Sequence, residues 1–96
     1  MKFFVLAVQG ASEAQRNAIT QYLRDNGYGF WHWLADFWIV QTTTPDLQAP
    51  AFRDVIKQFL PGLVFNVFAI RPINNDWAGF GNPSSSEWLK EHWKDM

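Results

Sequence analysis

The side chains able to do acid–base or metal chemistry are few and scattered. There are two histidines, His32 and His92, no cysteine, and nine Asp and Glu together. Neither histidine has a second histidine or a carboxylate at metal-ligand spacing within its own segment. His32, between Trp31 and Trp33, therefore reads as a partly solvated ring, and His92 as a helix-terminal one; a pH-sensitive contact is the other reading. The carboxylates fall where they serve structure: Glu13 and Asp46 at helix starts, Asp25 at a helix end, Asp36 in a turn, and Asp54 beside Arg53 and Lys57. A pair assembled in space from Asp36 and Asp76 is the one acid–base arrangement left open. Ser84-Ser85-Ser86 supplies helix caps, and no base or oxyanion site is announced for a nucleophile there. Gly79-Phe80-Gly81-Asn82-Pro83-Ser84 has the glycine content of an anion cradle leading into a helix N-terminus. It lacks the lysine of a Walker loop and does not follow directly from a strand, so it reads also as a tight loop that lets Trp77 and Phe80 pack. No catalytic residue, metal ligand or cofactor is assigned.

Aromatic rings carry the strongest signal. Nine Phe, six Trp and two Tyr in 96 residues exceed what a core this small readily buries, so some rings must face a partner. Trp31, Trp33 and Trp38 alternate along two β-prone runs and are expected to form a band of indoles on one face. Trp77, Phe80, Trp88 and Trp93 follow in the last quarter of the chain. Such a surface packs against its own tail and a dimer mate, offers a hot spot to another protein, or stacks bases or a nucleotide. Stacking platforms usually come with a basic groove, whereas here Lys2, His32 and Arg71 are the few positive groups near the strands. The balance favours a protein partner, with a nucleotide or nucleic acid using Arg71 and the glycine loop as the alternative.

These residues sit on a chain of 11.2 kDa that is 48% hydrophobic and 18% charged, the composition of one small folded domain over 1–96. Eight Lys and Arg against the acidic residues leave a net charge of −1, which excludes a general field for a polyanion or an anionic membrane. The run Phe3 to Val8 is far short of a membrane span and reads as a strand rather than a signal segment. A cytoplasmic protein with no membrane association is expected.

Positioning falls to six elements and a tail. Phe3–Val8, apolar without alternation, reads as a strand buried on both faces. Ser12 and Gln15 form a capping box, and helical spacing then runs from about 13 to 26, where Asn26-Gly27 stops it. Tyr28–Trp33 and Phe37–Thr42 form a hairpin across Leu34-Ala35-Asp36. A second helix starts at Pro50, with Phe52, Val55, Ile56 and Phe59 as its apolar stripe. Leu63–Ile70 is a fourth strand. Residues 73–96 are a tryptophan-rich tail ending in a short helix opened by Ser84 or Ser85, with Ser84 and Glu87 at capping-box spacing. The order β-α-β-β-α-β over residues 1–72 predicts an α+β, ferredoxin-like four-stranded antiparallel sheet with a short C-terminal helix. The first and fourth strands, the doubly apolar ones, are expected in the middle. With two helices on one face, the other needs cover from the tail, a second copy of the chain, or both.

This order, with the run Trp31-His32-Trp33-Leu34-Ala35-Asp36-Phe37-Trp38-Ile39-Val40, the segment Phe52-Arg53-Asp54-Val55-Ile56-Lys57, and Asp76-Trp77-Ala78-Gly79-Phe80 leading to Glu87-Trp88-Leu89-Lys90, resembles the small SinR-like proteins. These bacterial and phage chains are grouped with CRISPR-associated protein two. The resemblance spans nearly the whole chain and implies a ferredoxin-like fold, a homodimer, and a phage or defence setting. In the CRISPR-associated relatives an aspartate ending the first strand is the proposed metal ligand for phosphodiester cleavage. Here that stretch reads Ala7-Val8-Gln9-Gly10, and a neutral Gln9 cannot hold a divalent cation as a carboxylate does. The expectation is a non-catalytic, dimeric binding module acting through Trp31, Trp33, Trp38, Trp77, Phe80, Trp88 and Trp93, with a metal-dependent relative of the CRISPR-associated endoribonucleases as the alternative.

Overall fold

The computed structural model describes residues 2–94. Its elements run β1 (Lys2–Val8), α1 (Glu13–Asp25), β2 (Gly29–Leu34), β3 (Phe37–Thr42), α2 (Ala49–Lys57), β4 (Phe65–Ile70) and α3 (Ser85–His92). The local signals behave as expected. Ser12 Oγ accepts from the Gln15 amide at 3.1 Å, and Gln15 Oε1 accepts from the Ser12 amide at 2.8 Å, so the capping box that opens α1 is complete. Pro50 sits in the first turn of α2, where its missing N–H costs nothing.

The four strands form one antiparallel sheet in the order β2-β3-β1-β4. This corrects the expected strand placement: β1 and β3 are central, and β4 is an edge. The uniformly apolar 63–70 run misled because β4 is covered along one side and, on the other, only at its end, at Ile70. Phe65 and Val67 pack on the helical core, while Val64 is 67% and Phe68 54% exposed. On β3 the decisive feature is the buried triplet Trp38-Ile39-Val40, the mark of a strand covered on both faces, which the polar Gln41 and Thr42 obscure.

Two cores lie on opposite sides of the sheet. Against α1 and α2, Phe4, Leu6, Trp38 and Val40 from the central strands pack with Ile19, Leu23, Phe52 and Ile56. Each large apolar side chain buried there contributes about 1.5–3 kcal/mol. On the other side Phe3 and Ile39 meet Leu89 of α3, with Val5, Trp31, Phe37, Ile70, Trp77, Trp88 and Trp93 around them. The tail therefore covers the second face, resolving the expected choice in its favour over the β1–β3 region.

Asp36 pins the hairpin end of the sheet. Its carboxylate accepts from the Gly10 amide at 3.2 Å and from Arg16 Nη1 at 3.3 Å, while its carbonyl accepts from the Val8 amide at 2.9 Å. The turn, the end of β1 and α1 are joined through one residue.

The second core depends on the tail, so Leu89→Ala should lower stability by about 2–3 kcal/mol. Val64→Ala, at an exposed site, should change it by less than about 0.5 kcal/mol. Urea denaturation of the two variants checks both values.

Candidate aromatic cleft

The hairpin and the tail form the walls of an open cleft of about 470 Å³. The sheet side is built by Trp31, Trp33, Leu34, Phe37 and Ile39, and the tail side by Trp77, Phe80, Leu89 and Trp93 with the loop between them. Its position follows from strand register. Trp31 lies opposite Ile39, and Leu34 opposite Phe37, with a register shift between these pairs. A bulge gives one strand an extra residue against its partner. Trp33 and Leu34, which strict alternation would send to opposite faces, therefore both line the cleft. They are 49% and 57% exposed and form its mouth.

The same register breaks the expected band of indoles. Because Ile39 shares a face with Trp31, the preceding residue, Trp38, points the other way. Trp38 is fully buried in the helical core, its indole N–H donating to Thr20 Oγ1 at 3.4 Å. His32 stacks on it with ring centroids 4.1 Å apart and planes 13° apart. His32 thus serves as a packing ring, with Nε2 2.8 Å from the Ala35 carbonyl.

The tail is fixed to the sheet by specific contacts. The Trp31 indole N–H donates to the Ser85 carbonyl at 2.7 Å, a bond between β2 and the first turn of α3. Phe3 lies 6.2 Å from both the Trp88 and Trp93 rings, edge-on to Trp93, a favourable arrangement for aromatic pairs. His92 stacks on Trp88 at 4.5 Å. Trp88 is thereby a structural ring and does not line the cleft. Arg71, an exposed residue directly after β4, also lies outside the lining. Trp31, Trp33, Trp77, Phe80 and Trp93 are brought together, whereas Trp38, Trp88 and Arg71 are not. Leu34, Phe37, Ile39 and Leu89 join the site without having been singled out; the apolar spacing of Leu89 on α3 was the available signal.

The loop into α3 differs from both expectations. Trp77 packs against the second core, but Phe80 is fully exposed at the cleft mouth, next to Gly81 at φ 140°, a backbone conformation open essentially to glycine alone. The Ser84–Glu87 capping box does not form, since Ser84 is itself in helical conformation. Asn82 acts instead: its Oδ1 accepts from the Ser84 amide at 2.9 Å, and its carbonyl accepts from the Ser85 hydroxyl at 2.7 Å. The amides of Ser85, Ser86 and Glu87 donate to the carbonyls of Asn82, Pro83 and Ser84. The amides that would cradle a phosphate are thus engaged locally.

Among the described residues no group of three or more His, Asp or Glu could hold a metal ion, and no helix is long and apolar enough to cross a membrane. Among the described residues, the cleft lining contains no ionisable side chain. Its polar groups are Asn82, Ser85, Ser86 and the Trp93 indole, whose N–H is buried and makes no hydrogen bond among the described residues.

Of the six tryptophans, Trp33 is the most exposed. Trp33→Phe should therefore remove the largest share of acrylamide-quenchable fluorescence, and Trp38→Phe should leave that share intact. Stern–Volmer slopes of the two variants check this placement.

Comparisons with protein-family models, with curated proteins and with solved structures give no match for this chain.

Proposed function

We propose that this chain is a ferredoxin-like, non-catalytic binding module of the SinR-like kind, homodimeric and cytoplasmic, that recognises a partner protein through the aromatic cleft. The ferredoxin-like reading is supported by the two β-α-β units, in each of which a helix joins strands that have another strand between them. The observation carrying the functional reading is the cleft itself: an open, ring-walled surface with no acid, base or cation among its described lining residues. Trp-rich surfaces of this kind dominate binding energy at protein interfaces, where water is excluded from around a few large rings. A nucleotide or nucleic acid would need cations or free backbone N–H groups beside the rings. Arg71 lies away from the cleft, and the amides at the start of α3 are engaged, so that alternative has less support.

Homodimer formation is supported by the part of the sheet that the tail leaves open. Among the described residues β4 pairs only with β1, and Phe68 on it and Val64 just before it stand exposed, an apolar edge of the type that invites strand pairing.

Two measurements test these points. Phe68→Glu should convert a dimer to a monomer in native mass spectrometry while leaving the circular dichroism spectrum unchanged; a wild-type monomer contradicts the dimer. A photo-crosslinking residue substituted at Phe80 should trap a discrete protein adduct in the native cell that one at Lys57 does not, and identical patterns from both positions contradict recognition through the cleft.

A further inference from the structure

We infer that the cleft takes a neutral aromatic side chain of the partner, together with a carbonyl of the partner's own backbone. This rests on the binding-module reading above and specifies the chemistry of what is bound.

Charge is the first argument. No described lining residue is ionisable, so a charged group entering would lose hydration with no counter-charge among them to replace it. The occupant is uncharged. Size is the second: about 470 Å³ lies toward the small end of the ~300–1,000 Å³ range of small-molecule sites and accommodates one large ring with its adjoining peptide units. Shape and composition are the third. Trp33 and Leu34 on the hairpin, and Phe80 on the loop, are exposed at the mouth, and an inserted ring would cover all three. Phe80 is flanked by Gly79 and Gly81, whose backbone freedom lets it fold onto an occupant.

Hydrogen bonding supplies the carbonyl. The Trp93 indole N–H has no acceptor among the described residues, and a buried donor without one is costly. Asn82 uses its Oδ1 on the Ser84 amide, which leaves its side-chain N–H groups to donate. The Asn82 amide is thus the donor open to an occupant that brings an acceptor, and a peptide carbonyl beside an aromatic side chain meets that need; the Trp93 N–H is closed off and joins it only if the ring shifts.

The test titrates the ¹⁵N-labelled full chain with N-acetyl-tryptophanamide, N-acetyl-tryptophan as the anion, and tryptamine as the cation, following the indole N–H signals. The neutral amide should shift the Trp33 and Trp93 signals saturably while leaving Trp38 unmoved. The two charged probes should bind at least tenfold more weakly. Trp33→Ala and Phe80→Ala should each weaken the amide at least fivefold, with their Trp38 signal reporting an intact fold. An unsaturable response, equal binding of all three probes, or wild-type affinity in both variants overturns the inference. Selective binding of the amide supports it even if crosslinking at position 80 finds no partner, and charge-blind binding overturns it even if crosslinking succeeds, so the two readings fail separately.

Discussion

The packing of Phe3 between Trp88 and Trp93 is the contact on which the rest of this structure depends. Phe3 sits on a central strand, almost completely buried, at the middle of the second core. A strand such as β1, apolar on both faces, cannot leave either face in water without losing the burial that drives folding. Helices α1 and α2 cover one face; only the tail covers the other within the described residues. Docking of the tail is therefore part of folding rather than an addition to a finished domain. The Trp31 bond to the Ser85 carbonyl fixes where along the sheet α3 lies.

The cleft is a by-product of that docking. The helix α3 closes over Phe3, Ile39 and Leu89, but the loop that leads to it has to travel from β4, at one edge of the sheet, to the hairpin near the other. In doing so it stands away from Trp33 and Leu34, leaving a space walled by rings from both sides. Because the same rings stabilise the tail and line the cleft, binding and stability are coupled at this site. Trp31 shows the coupling most directly, since its N–H holds α3 while the residue lines the cleft.

Much of this was legible in the residues themselves. The six core elements, the Ser12–Gln15 box and the apolar stripe of α2 followed from local spacing, because capping and periodicity act within a few residues. The need for cover on the second face followed from the excess of apolar faces over helices, but whether the tail or a second copy supplies it did not. What local spacing could not show was set by pairing. The central place of β3 was hidden because its last two residues are polar, and the edge position of β4 because its apolar residues are not all buried. The division of Trp31 from Trp38 depended on hairpin register and a bulge, neither of which alternation along a single strand can reveal. The engagement of Asn82 in place of the Ser84–Glu87 box is a loop geometry with no strong local signature.

The most direct measurement of the central claim is a nuclear Overhauser spectrum of the aromatic protons. The account predicts cross-peaks from the Phe3 ring to the indole protons of both Trp88 and Trp93, whose centroids lie 6.2 Å away. It predicts none from Phe3 to Trp38, which lies on the opposite side of the sheet. Phe3 cross-peaks to neither tail indole, in a folded protein, would contradict the account: the second face would then be covered by something other than the tail, and the cleft would not exist.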